Sequence, residues 1–168
     1  FLGSEDGLGE APVWTREENQ SGARLGTSLS RPVDLDANTF NDLVVGAPGW
    51  NAQRGAAIVY MNTADNQYFA KLRTIVGGGV EKLGSQIAVG DFNGDFIDDF
   101  ATSGPYHESE GQETGRIAWA AGSFTGPPAE VTTIAVGTAD ERFGSSLDAG
   151  DFNGDGRTDL VVGSPRHT

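Results

Sequence analysis

Phe143-Gly144-Ser145-Ser146-Leu147, then Asp151-Phe152-Asn153-Gly154-Asp155, then Asp159-Leu160-Val161-Val162-Gly163-Ser164-Pro165 is the stretch that decides the fold. The same order of elements occurs twice before it. One copy runs Leu83-Gly84-Ser85, Asp91-Phe92-Asn93-Gly94-Asp95 and Asp99-Phe100-Ala101-Thr102-Ser103-Gly104-Pro105. The other runs Leu25-Gly26-Thr27-Ser28-Leu29, Asp34-Leu35-Asp36-Ala37-Asn38 and Asp42-Leu43-Val44-Val45-Gly46-Ala47-Pro48. The period is 58 residues and then 60. A repeat of this kind is one supersecondary unit that buries its apolar face against the next copy.

Each unit holds short strand-like runs bounded by Gly, Pro, Asn and Asp. After the Gly-x-Pro element, a strand opens with Gly in Gly55-Ala56-Ala57-Ile58-Val59-Tyr60 and in Gly115-Arg116-Ile117-Ala118-Trp119. A further extended run follows, Phe69 to Val76 and Ala129 to Val136. Four short antiparallel strands per repeat without helical periodicity predict an all-β fold of β-propeller blades. The repeats divide the chain at 25–82, 83–142 and 143–168, the last lacking its third and fourth strands. Residues 1–24 read as the end of a preceding blade. There Phe1-Leu2-Gly3-Ser4 matches Ala120-Ala121-Gly122-Ser123, and Ala11-Pro12-Val13-Trp14-Thr15 matches the fourth strand around Val131-Thr132-Thr133. About three blades cannot close a ring of four to eight. The expectation is a fragment whose remaining blades lie in the parent chain, or a chain that closes its ring by self-association.

The loops between the first two strands carry the chemistry. Counted from its first Asp, each nine-residue loop sets side-chain oxygens at positions 1, 3, 5 and 9. These are Asp34, Asp36, Asn38 and Asp42; Asp91, Asn93, Asp95 and Asp99; and Asp151, Asn153, Asp155 and Asp159. Position 7, Phe40, Ile97 or Arg157, would add a backbone carbonyl. Hard oxygen donors in this number suit Ca2+, which takes six to eight of them, rather than zinc. Up to three calcium ions per chain are expected, bringing the formal charge of −13 to about −7. An EF-hand is excluded, because its position-12 Glu is replaced by Val45, Thr102 or Val162 in the next strand. Only the third loop has Gly at position 6, Gly156, against Thr39 and Phe96. It is therefore expected to be the tightest site.

Composition limits the remaining function classes. Twenty-four acidic residues against eleven basic ones exclude a nucleic-acid footprint and disfavour anionic membranes. The 25 glycines, about twice the usual share, agree with many tight turns. With no cysteine, disulfides, thiol catalysis and Cys-ligated metals are ruled out. No apolar run approaches the roughly 18 residues of a membrane span. The absence of an initiator Met and of a signal peptide suggests a mature, processed or fragmentary chain. No nucleophile–base–orienter set emerges. The two histidines, His107 and His167, lie in loops one repeat apart, so a non-catalytic chain is expected.

The order Phe-Gly, Asp-x-Asn-x-Asp-Gly, Asp-Leu-Val-Val-Gly-Ser-Pro resembles the FG-GAP repeat of integrin α-subunit propellers and of many secreted proteins. It covers essentially the whole chain. Leu25 and Leu83 replace Phe, and Ser103-Gly104-Pro105 replaces Gly-Ala-Pro, which suggests a distant relative. The resemblance implies structural calcium on the face opposite the usual ligand surface, and an extracellular or cell-surface location. It also places the loops after the second strands, 49–54 and 105–115, on the ligand face. Trp50, Tyr106 and His107 are then candidate contacts for a protein or glycan ligand. Calcium-dependent adhesion, interaction or scaffolding is the function expected. The alternative is a carbohydrate-binding or accessory propeller of a secreted hydrolase or lyase.

Overall fold

A computed structural model describes residues 1, 3–5, 7–63, 69–126, 128 and 131–167. Of the residues assigned above to strands or matches, Leu2, Ala129 and Glu130 lie outside these. The chain opens with a small hairpin, β1 (Gly3–Ser4) with β2 (Gly7–Leu8). The first blade pairs β3 (Leu43–Gly46), β4 (Ala56–Met61) and β5 (Ala70–Val76) in that order, antiparallel throughout. The second is built from β6 (Ile87–Gly90), β7 (Asp99–Gly104), β10 (Arg116–Ala120) and β11 (Thr132–Val136). Its order β11-β10-β7-β6 is a complete four-stranded blade. Between β7 and β10 the 105–115 loop carries its own hairpin, β8 (Glu108–Ser109) with β9 (Gln112–Glu113). The third unit is β12 (Ser146–Gly150) with β13 (Asp159–Gly163).

Strand β4 shows why these sequences make blades. Its six residues are all buried, and alternate side chains go to opposite faces. Ala57, Val59 and Met61 join a core with Val33, Leu35, Val44, Leu83, Val89 and Phe100, which welds the first blade to the second. Ala56, Ile58 and Tyr60 form a second core on the other face with Val45 and Ala47, against which Trp14, Leu25, Trp50 and Phe69 pack. The third unit has no following blade against it in this chain. Val161 is 50% exposed there, while its counterpart Ala101 in the second blade is fully buried.

Blades are also joined through the backbone. Gly55, which opens the third strand of the first blade, bridges in parallel to Leu83, and Gly115 bridges likewise to Phe143. Both glycines have left-handed φ, 78° and 79°. A Cβ on Gly55 would stand 2.1 Å from the Leu83 nitrogen, and one on Gly115 2.2 Å from the Phe143 carbonyl oxygen. Only glycine fits where the start of one repeat crosses the blade before it.

Two local expectations are not met. Between β2 and β3 no strand is present among the described residues, so Ala11–Thr15 does not pair as a fourth strand. Trp14 instead sets its ring edge-on against Tyr60 (5.6 Å, 84°) and Phe69 (5.4 Å, 64°), and Arg16 donates to the Phe69 carbonyl at 3.1 Å. Burying an indole against the first blade's open face outweighs extension of a segment interrupted by Pro12. The innermost strand of the first blade is likewise reduced to isolated bridges, Leu29 to Val45 and Val33 to Asp42. Pro32 between them has no N–H to give the ladder.

Candidate metal loops and the bonds between blades

In each nine-residue loop the first carboxylate is the hub. Asp91 Oδ1 accepts the N–H groups of Gly94 (2.6 Å) and Asp95 (3.1 Å), and Oδ2 accepts that of Phe96 (2.9 Å). Asp151 accepts from Gly154, Asp155 and Gly156 at 2.6, 3.1 and 2.8 Å. In the first loop Asp34 accepts from Asn38 (3.1 Å) and Thr39 (2.8 Å). The residues at position 7 donate to position 5: Phe40 to Asn38, Ile97 to Asp95, Arg157 to Asp155. Such turns need left-handed backbone at two positions, not one. These are Ala37 and Thr39 (φ 55° and 72°), Gly94 and Phe96 (80° and 68°), and Gly154 and Gly156 (79° and 85°).

A branched Thr39 at φ 72° is strained, by roughly 1–2 kcal/mol against an unhindered residue. Thr39→Gly is expected to raise stability by about 1 kcal/mol, the glycine's greater unfolded-state entropy offsetting part of the relief. A thermal melt should move up by about 2–4 °C. An unchanged or lowered midpoint would refute the strain.

The ninth position closes each loop against the blade. Asp42 Oδ2 accepts the Leu35 N–H and Oδ1 the Asn62 N–H, both at 2.9 Å. Asp99 does the same with Phe92 (3.0 Å) and Gly122 (2.9 Å), and Asp159 with Phe152 (3.0 Å). In the first loop Asp34, Asp36 and Asp42 each bring one carboxylate oxygen within 4.8 Å of the others. Among the described residues the other two loops gather no such trio of acids. Burial raises the Asp42 carboxyl to about 6 and also raises Asp36 and Asp99, whereas backbone N–H groups, that of Gly156 foremost, lower Asp151. The first loop is thus the cluster that holds its charges closest and most buried. Position 3 makes the difference, an acid in the first loop, Asp36, and an asparagine, Asn93 or Asn153, in the other two. The loops also touch one another: Asp34 N–H reaches Asp98 Oδ2 at 3.4 Å, and Thr158 N–H reaches the Asp91 carbonyl at 3.3 Å.

The three residues expected to meet a ligand are engaged within the protein. Trp50 packs against the second core, in a turn whose Asn51, Ala52 and Gln53 are all left-handed. Lys82 Nζ lies 3.6 Å and Arg142 Cζ 4.8 Å from the Tyr106 ring centre. His107 Nδ1 lies 3.0 Å from Oε2 of Glu81, which is 1% exposed. Arg116 donates from Nη2 to Glu81 Oε1 at 2.7 Å, its Nε sits 2.6 Å from Oε2, and Gly78 N–H adds a bond of 2.7 Å. One repeat later, Glu141 binds His167 and accepts the Thr138 N–H at 2.7 Å.

Sequence reading passed over Glu81, Arg116 and Glu141. The signal was a Glu two residues before Leu83-Gly84 and again before Phe143-Gly144, each 26 residues ahead of a His. Hydrogen bonds from Thr138 and then His167 hold the Glu141 carboxyl down to about 2. A depressed carboxyl stabilises the folded state above its ordinary pKa of 4.5 and loses that contribution as pH falls toward 2. Below about pH 4 the bond between second and third blades should weaken, and Glu141→Gln should flatten the acid limb of a melting-temperature profile.

The comparisons with known proteins agree with this architecture. The FG-GAP repeat family model matches residues 83–118 and 143–168. Integrin alpha-E of Mus musculus is 31% identical over 178 aligned positions, covering 97% of this chain but 15% of its own length. Phosphatidylinositol-glycan-specific phospholipase D of Bos taurus is 31% identical over 159 positions, covering 84% of this chain and 19% of its own. Integrin alpha-PS5 of Drosophila melanogaster is 48% identical over 58 positions, 31% of this chain and 6% of its own. The chain thus spans less than a fifth of the length of these relatives. Its blades, loops and repeat signatures make it an FG-GAP repeat protein, distantly integrin-like.

Proposed function

We propose that the chain is a calcium-stabilised, non-catalytic propeller segment that presents loops to a protein partner at the cell surface or outside the cell. The observation that carries this reading is the convergence of Asp34, Asp36 and Asp42 within 4.8 Å, in a loop plan used three times. Bound calcium supplies positive charge to carboxylates that otherwise repel one another. Asp34, Asp36, Asn38 and Asp42 would hold it in the first loop, with the Phe40 carbonyl. Asp91, Asn93, Asp95 and Asp99 with Ile97, and Asp151, Asn153, Asp155 and Asp159 with Arg157, would serve in the others. Extracellular calcium modules bind at about 10⁻⁴–10⁻³ M, a range matched to supply outside the cell.

A protein partner is favoured over sugar stacking because Trp50, Tyr106 and His107 already have partners inside the chain. The acidic hairpin around Glu108, Glu110 and Glu113 stays at the surface and offers charge for recognition. Among the described residues no helix is long and apolar enough to cross a membrane. The phospholipase name belongs to a relative matched over 19% of its own length, too small a share to carry its activity to this chain.

Native mass spectrometry with added calcium or chelator tests the reading. Up to three ions should bind per chain, and 1 mM calcium should raise stability by about 0.4–1.4 kcal/mol per site over the 10⁻⁴–10⁻³ M range. No bound calcium at millimolar supply would overturn it.

A further inference from the structure

We propose that Asn19, in the tripeptide Asn19-Gln20-Ser21, is an acceptor for an N-linked glycan. The pattern Asn-x-Ser, with x other than Pro, is read by the oligosaccharide-transferring machinery of secretory compartments. None of the other asparagines has Ser or Thr two residues on. The inference rests on the extracellular reading above, since only a chain that enters that compartment meets the enzyme.

The structure supplies reasons beyond the pattern. Asn19 and Ser21 are both exposed, in a segment that belongs to no strand or helix. Neither side chain makes a hydrogen bond among the described residues, so the amide and the hydroxyl are free. Asn19 has φ 45°, left-handed backbone that asparagine tolerates better than most residues. The flanking residues bear the anchoring: Glu18 accepts from the buried Tyr60 hydroxyl at 2.7 Å, and Gln20 Oε1 accepts the Asn51 N–H at 2.8 Å. The loop is held from either side of the acceptor, and a sugar on Asn19 displaces none of these bonds. Because Gln20 is bound to the 50–53 turn, the glycan would stand beside the loop of the first blade. A partner would then be left the loops of the second and third.

In the transfer, Asn19 Nδ2 forms a bond to the anomeric carbon of a lipid-linked oligosaccharide. The bond from that carbon to the lipid pyrophosphate oxygen breaks, the pyrophosphate leaves, and the amide proton goes to the transferase. No oxidant or reductant is involved.

The test is cell-free translation of the whole 168-residue chain behind a cleavable leader, with microsomes. An acceptor tripeptide appended after Thr168 reports entry into the lumen. The wild-type chain should gain two glycans, and Ser21→Ala and Asn19→Asp should each gain one. Asp shares the tolerance of left-handed backbone, so a folding defect would not account for its loss. Modification of the appended tripeptide alone in the wild-type chain would overturn the proposal. The purified glycoform should melt with the enzymatically deglycosylated chain, and a clearly lower midpoint for the glycoform would also overturn it. Export of the parent protein is read separately, by its recovery outside the source cells. A negative result there removes the extracellular reading while the microsome result still stands.

Discussion

Asp42→Ala is expected to lower the melting temperature by about 6–12 °C in millimolar calcium, a loss of about 3 kcal/mol at roughly 2–4 °C per kcal/mol for a chain of this size. Two effects add. The buried carboxylate accepts the N–H groups of Leu35 and Asn62, and each donor left without a partner costs about 1–3 kcal/mol. It is also one of the three acids that converge in the first loop. Without calcium the cost should be smaller, because burial already disfavours the ionised carboxyl and its removal relieves repulsion with Asp36 and Asp34. The difference between the two conditions is the diagnostic quantity. Asp42→Asn, which keeps a carbonyl acceptor for one of the two donors, should lose less. An equal drop with and without calcium would make Asp42 a clasp for the backbone alone.

How much of this was legible depended on the range of each interaction. The three loops and the strands after them could be read because the Asp and Asn positions and the apolar runs recur with the repeat. The left-handed position 6 followed from Gly156, but position 4 was hidden in the first loop by Ala37, which adopts φ 55° without being glycine. The hairpin inside 105–115 had a local sign, Glu110-Gly111, whose φ values of 54° and 79° suit a two-residue turn between strands. Trp14 had none. Its strand reading rested on alignment to another repeat, and packing on Tyr60 and Phe69, some fifty residues away, decided the outcome. Glu81 and Arg116 lie 35 residues apart and carry no local pattern. Only comparison of the repeats as whole units shows that they belong together.

That comparison yields the second large effect. Glu81, His107 and Arg116 of the second blade occupy the places of Ala23, Trp50 and Ala56 in the first. The backbone beneath them is the same: Gly49 N–H bonds the Ala23 carbonyl at 3.0 Å, Tyr106 the Glu81 carbonyl at 3.3 Å, and Arg166 the Glu141 carbonyl at 3.3 Å. One blade fills the position with apolar groups, and the other with a buried carboxylate, an arginine and a histidine. Glu81→Ala alone should cost about 3–5 kcal/mol, because Arg116, 17% exposed, is left as a charge with its partner gone. Gly78 is exposed and can turn its N–H to water. The triple change Glu81→Ala, His107→Trp and Arg116→Ala transplants the first blade's set. It should return to within about 1–2 kcal/mol of the parent, since a buried ion pair exchanged for packed apolar groups is often near neutral. Denaturant unfolding of the single and triple variants measures the coupling. If the three positions form one packing unit, the triple variant is more stable than Glu81→Ala. A triple variant as unstable as the summed single changes would show that the second blade, unlike the first, requires its charges at this joint.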